Sequence, residues 1–155
     1  PLFLLDPLKV GFPFHAHHKV TCDQGNESPD GNSHTHLKTH YALDLHTDQN
    51  GPGGSLFSGV SGIAIVFNEC FTVNDNCGAG FGNHVKILTP DGFIVQYAHL
   101  ARVDVKTGAY VRTGDLIGRE GQTGAAGENN PHLHLSVHYD WREMGYEYWK
   151  GLGYL

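Results

Sequence analysis

The chain is poor in charge, and poorest in positive charge. Only 17% of its 155 residues are charged, against a usual ~25%, with 10 Lys and Arg facing 16 Asp and Glu for a formal net charge of −6. No Lys/Arg cluster overrides that balance, so nucleic acid is not an expected partner. No stretch approaches the ~20 apolar residues that a membrane span needs. Leu2 to Leu5 is too short for the core of a signal peptide. The chain begins at Pro1 without Met, which points to a processed or trimmed form and says nothing about export. Internal repeats and low-complexity tracts are also missing. Cysteine is scarce, with three in all. Cys70 and Cys77 flank Phe71 to Asn76, a spacing that suits a hairpin closed by a disulfide in an exported protein, the alternative being two reduced thiols in a loop. Cys22 beside Asp23 has no base or elbow near it in the sequence that would make it a nucleophile.

Glycine, by contrast, is abundant. The 21 glycines are about twice the average share of roughly 7% and favour short strands joined by tight turns, so an all-β chain is expected. A chain of this length forms one domain with a real core, burying roughly 68–70% of its unfolded surface. Residues 1–33, rich in Pro, His, Asn and Asp without a sustained period, read as an irregular arm packed on a domain of residues 34–155. Gly62 to Phe67 is apolar on both faces and reads as a central strand. Asn83 to Thr89 and Phe93 to His99 alternate around Pro90-Asp91-Gly92, which is hairpin chemistry. The frequent turns of Val103 to Gly124 predict short strands bending around a barrel-like end. Trp141 to Leu155 is aromatic and reads as a closing helix or an irregular cap.

Twelve histidines remain to be placed. His-x-His occurs at His15/His17, His34/His36 and His132/His134, and the first two pairs lie in loop-like composition. The third lies in PHLHLSVH, where alternation puts His132, His134, Ser136 and His138 on one side of a strand and Leu133, Leu135 and Val137 toward a core. Cα atoms two apart on a strand are separated by roughly 6.6 Å, so one imidazole can bind a metal while the other reaches the metal's water or substrate.

A catalytic zinc takes three protein ligands and keeps one open position. The best complement to the histidine pair is His40-Tyr41-Ala42-Leu43-Asp44. In an extended strand the Cα atoms of His40 and Asp44 would lie about 13 Å apart, too far to share an ion, so the chain must curl or bulge at His40. His36 and His40 are also four apart, but Leu37 stands where a metalloprotease helix needs Glu. With no glutamate base beside the ligands, proton transfer falls to histidine, and His99, ending the strand IVQYAHL, is the candidate outside the two motifs.

HxxxD, YAHL and HLH, in this order, resemble the lysostaphin-type zinc endopeptidases, the M23 or LytM-like family, which cut peptidoglycan peptides. GNHVKI (82–87), VRTGDLIG (111–118), GQTG (121–124) and PHLHL (131–135) support the resemblance over roughly residues 37–139. It implies an antiparallel sandwich or barrel-like peptidase domain of the duplicated hybrid motif type. It implies one zinc ion on His40, Asp44 and His134, with His99 and His132 as catalytic histidines. Spacing alone does not say which of His132 and His134 binds the metal; the family supplies that choice. Gly127 to Pro131 departs from the Ser-Thr-Gly-like stretch common in the family, which bears on substrate preference.

The implied activity is hydrolysis of peptide bonds in peptidoglycan cross-links or stem peptides, by a monomer that is secreted or held in the cell envelope. The alternatives are a non-catalytic binding or activator module of the same fold, and a histidine-rich metal-binding protein. His15, His17, His18, His34, His36, His46, His84 and His138 read as solvated loop or strand residues.

Overall fold

The computed structural model describes residues 8–25, 34, 39–48, 53–73, 75–127 and 130–138. In chain order its strands are β1 (Val20–Gln24), β2 (Leu43–Thr47), β3 (Ser55–Phe57), β4 (Gly62–Phe67), β5 (His84–Leu88), β6 (Ile94–Ala98), β7 (Arg102–Val103), β8 (Tyr110–Val111), β9 (Leu116–Arg119) and β10 (Leu133–His138). They form two sheets, one of seven strands in the order β1-β2-β10-β6-β5-β4-β8 and one of three in the order β3-β9-β7. Every strand pairing is antiparallel, as the all-β reading requires.

Alternation builds the core. On β5, Val85 and Ile87 turn inward, and their neighbours Tyr97 and Val95 on β6 do the same, so apolar side chains meet across the register Val85↔Tyr97 and Ile87↔Val95. Leu133 of β10, Leu56 of β3 and Ile117 of β9 join them with no solvent exposure. The hairpin at Pro90-Asp91-Gly92 forms as its composition predicts. Gly92 takes φ 87°, a left-handed conformation that glycine adopts without steric cost, and its N–H donates to the Thr89 carbonyl at 3.0 Å.

Three expectations change. Gly62–Phe67 is not central: beyond β5 it meets only the two-residue β8, and Ile63 is 41% exposed. A strand apolar on both faces can therefore lie near a sheet edge. The N-terminal arm is not wholly irregular, because Val20–Gln24 pairs with β2 and Phe14 is buried in the core. On β10 the polar face is the buried one. His132, His134, Ser136 and His138 are all buried, whereas exposure rises along the apolar face from Leu133 to Val137. The strand is flanked by β2 and β6, so neither of its edges is free.

The turns of Val103 to Gly124 become β7, β8 and β9, two of them in the smaller sheet. Cys70 and Cys77 are joined by a disulfide, and Cys22 is free and exposed. The aromatic C-terminal segment, Leu2 to Leu5 and His36 lie outside the described residues.

Candidate metal centre and cleft

Two strands carry the centre. Asp44 on β2 and His134 on β10 are register partners, and His134 Nδ1 lies 2.8 Å from Asp44 Oδ1. The carboxylate's second oxygen, Oδ2, lies 3.2 Å from His34 Nε2. His132 Nε2 approaches Oδ1 at 3.8 Å. The His99 ring completes the group, its centroid 4.8 Å from that of His132 and 5.8 Å from that of His134. Asp44, His34, His99, His132 and His134 are all buried.

Main-chain carbonyls orient the rings. Nδ1 of His99 lies 2.9 Å from the Thr123 carbonyl, Nδ1 of His132 lies 2.8 Å from that of Asn130, and Nδ1 of His34 lies 3.0 Å from that of Gly25. A carbonyl only accepts, so each Nδ1 carries the proton and each Nε2 keeps its lone pair. His99 has φ 62°, a left-handed conformation rare for a side chain of this size. Its N–H donates to the Phe81 carbonyl at 2.9 Å, so both its backbone and its ring are fixed. The loop beneath it packs closely: a Cβ on Gly82 would stand 2.2 Å from the Thr123 carbonyl oxygen. Only glycine permits that approach.

Burial and charge set the protonation. Burial first and the neighbouring His132 second hold the His99 imidazole down to about 4, the hydrogen bond to Thr123 offsetting them only in part. His99 is therefore neutral near pH 7. Burial alone would raise the Asp44 carboxyl, but the hydrogen bond from His134 and the charges of His134, His132 and His34 outweigh it and hold Asp44 below its ordinary value.

The donor set suits a zinc ion. Among the described residues, His34, Asp44 and His134 are the group of three donors whose ligand atoms lie within 4.8 Å of one another. His134 Nε2 is buried without a hydrogen-bond partner among the described residues, which is costly unless a cation satisfies it. Two imidazoles and a carboxylate match a catalytic zinc that keeps its fourth position open.

The centre lies in a cleft of about 660 Å³. Asp23 and Gln24 of β1 line it, as do Ala79, Phe81 and Ala126. The Cys70–Cys77 disulfide closes the turn Cys77–Gly80, in which Gly78 and Ala79 both have positive φ. This covalent bond therefore anchors the wall that Ala79 and Phe81 provide.

Of the five residues singled out from the sequence, the structure gathers Asp44, His134, His99 and His132. His40 is not in the donor group or the cleft lining named above. A turn closed by Ala42 N–H to the Thr39 carbonyl precedes β2, and the His40 ring stands edge-on to Tyr41 at 4.6 Å. His34, whose sequence reads as solvated loop, is the third donor of that group. His84 and His138 are likewise buried rather than solvated, and His46 pairs with Asp23 at 2.5 Å. The carbonyls of Thr123 and Asn130 leave no trace in residue type; the GQTG motif at 121–124 is the one hint for the first.

Comparison with known proteins follows the same lines. The profile of Peptidase family M23 matches residues 38–145. The cell division protein DipM of Caulobacter vibrioides is 41% identical over 59 residues, 38% of this chain and 9% of DipM. Lysostaphin of Staphylococcus simulans is 43% identical over 57 residues, 36% of this chain and 11% of lysostaphin. The matched stretch is thus about a tenth of either relative. The structure of the deep-sea M23 metalloprotease pseudoalterin superposes with a TM-score of 0.61 at 16% identity, covering 86% of this chain and 72% of that one.

Proposed function

Because the chain belongs to peptidase family M23, we propose that it is a zinc-dependent endopeptidase that hydrolyses peptide bonds of peptidoglycan. The observation that carries this reading is the convergence of Asp44 and His134 on one point beside two further buried imidazoles, His99 and His132. Asp44 and His134 hold the ion, with a third donor from the chain ahead of β2. His40 has the family spacing and falls inside the matched segment, and His34 has the contact with Asp44 but falls outside it. We assign the position to His40 on that ground.

Zinc held there supplies Lewis-acid polarisation of the scissile carbonyl and lowers the pKa of a coordinated water toward roughly 7. The rest belongs to the protein. His99, neutral and with Nδ1 tied to Thr123, presents Nε2 as a proton acceptor. His132, tied through Nδ1 to Asn130, presents Nε2 beside it. One imidazole takes the proton of the attacking water, and the pair then stabilises the oxyanion and returns a proton to the leaving amine. Both rings are fixed before substrate arrives, so little reorganisation accompanies the reaction.

The Cys70–Cys77 disulfide supports an oxidising location, outside the cell or in its envelope. The relatives named for lysostaphin and cell division support the wall as substrate. Asp44, His99, His132 and His134 stand together, which favours the enzyme over a non-catalytic module of the same fold. Zinc content and cell-wall lysis, measured with and without chelator for the parent chain, His134→Ala and His99→Ala, test this. Lost zinc in the first variant and retained zinc without lysis in the second are expected; a zinc-free parent that lyses walls overturns the proposal.

A further inference from the structure

A second cluster of imidazoles stands apart from the cleft. The His18 N–H donates to the His15 carbonyl at 3.1 Å, closing a turn that presents His15, His17 and His18 together. Their ring centroids are separated by 5.1 Å (His15 to His17), 4.3 Å (His17 to His18) and 6.4 Å (His15 to His18). Asp48 adds a carboxylate, with Oδ1 3.9 Å from His18 Nδ1. None of the four lines the catalytic cleft.

The scaffold fixes this turn. The Phe57 N–H donates to the Pro13 carbonyl and the Gly11 N–H to that of Gly59, both at 2.8 Å. Phe14 is buried in the core between them and the His15 ring packs on Phe57 at 4.5 Å. Beyond the turn, the Asp48 N–H donates to the Lys19 carbonyl at 3.1 Å, which keeps the carboxylate beside the histidines. The turn is therefore held at both ends.

The spacing can be compared with what a metal requires. With zinc–nitrogen bonds of roughly 2.0–2.1 Å, a ligating ring has its centre about 3.2 Å from the ion. Two such rings at ligand angles of 90° to 109° then lie about 4.5–5.2 Å apart. The His15–His17 separation falls in that interval, His17–His18 lies just below it, and His15–His18 lies above it and needs a wider ligand angle. The nitrogens do not yet converge as those of the cleft do, but rotation about χ2 re-aims a ring's nitrogens while leaving its centre nearly in place. His15 and His17 are exposed, so such a rotation disturbs the ring contacts within the turn and the edge contact of His15 on Phe57.

We infer that His15, His17, His18 and Asp48 form a second metal site, which takes a first-row transition dication of the zinc or copper class and pins the N-terminal turn to β2. Imidazole donors suit such ions, and a site with three of them excludes calcium and magnesium, which take oxygen. The site adds to the catalytic centre and does not depend on it.

Equilibrium dialysis of the full chain against Zn²⁺, followed by metal analysis, tests this. Two equivalents are expected for the parent. The triple variant His15→Ala/His17→Ala/His18→Ala is expected to bind one and to keep its wall-lysing activity, whereas His134→Ala keeps the equivalent held by the turn. The single variant His17→Gln, at an exposed position, should weaken the second equivalent at least tenfold with the fold intact. Two equivalents in the triple variant, or a second equivalent that saturates only in the millimolar range, overturns the inference. A parent that binds one equivalent, lost in the triple variant and retained in His134→Ala, would instead count against the catalytic zinc.

Discussion

Asp44 and His134 face each other directly across the β2–β10 register, and that pairing places imidazole Nδ1 2.8 Å from carboxylate Oδ1. The side-chain period of a strand is two, so a slip of one residue would set Leu133 or Leu135 against Asp44 and dismantle the centre. Two long-range strand pairings, β10 with β2 and β10 with β6, specify the register against that slip.

Asp44→Ala and His134→Ala should therefore lose the zinc equivalent of the cleft, keep the one held by His15, His17 and His18, and lower lysis at least ~100-fold, with the far-ultraviolet circular dichroism of the parent retained. Metal analysis beside a turbidity assay on cell walls reads both. The full zinc content of the parent in either variant would remove that residue from the ligand set.

The third ligand is decided by a pair of single variants. His40→Ala is expected to lose zinc and His34→Ala to keep it. The reverse result would give the position to His34 and make the N-terminal arm part of the metal centre.

His99→Ala should bind zinc as the parent does and lose about 10²–10⁴-fold in kcat, the range for a positioned general acid or base. Single-turnover hydrolysis of a wall peptide by the zinc-loaded variant is the measurement. Unchanged kcat would show that His99 does not handle the proton.

The His84 imidazole is held down to about 3, first by burial and then by Lys86. Its Nδ1 lies 2.8 Å from the Gly82 carbonyl, and its ring stacks on Phe67. The unfolded chain takes up a proton here near pH 6.5 and the folded chain does not until about pH 3. Stability thus falls with acid across that window, by up to about 1.4 kcal/mol per pH unit for this one group. Denaturation midpoints between pH 7 and pH 4 should fall less steeply in His84→Gln than in the parent. Parallel profiles would mean that His84 contributes nothing to acid sensitivity.

Cys70→Ser/Cys77→Ser should cost about 2–3 kcal/mol by the chain-entropy account of a short closed loop. It should also raise KM, because Ala79 and Phe81 line the cleft beside His99 and His132. An unaltered KM would separate the disulfide from substrate binding.

The sequence made the hairpin around Gly92 legible because turn chemistry and alternation agree there. It made Asp44 and His134 legible because a strand period fixes which side chains share a face. His34 was not legible: its contact with Asp44 joins a non-repetitive segment to a strand, and no period or spacing encodes such a meeting. The place of β4 was misread for a related reason. Apolar residues on both faces report that neighbours cover the strand, and a loop or a two-residue strand covers it as well as a full one. Burial of His84 and Lys86 also ran against composition, since both are enclosed by their neighbours on the sheet rather than by the apolar core.

The acceptors that orient His34, His99 and His132 are main-chain carbonyls of Gly25, Thr123 and Asn130. Every amino acid has a carbonyl, so no single substitution deletes one. The side chains around the cleft can therefore be exchanged, in evolution or at the bench, while the three rings keep the same tautomer. Altered substrate preference is then available to this chain without rebuilding its proton-transfer groups.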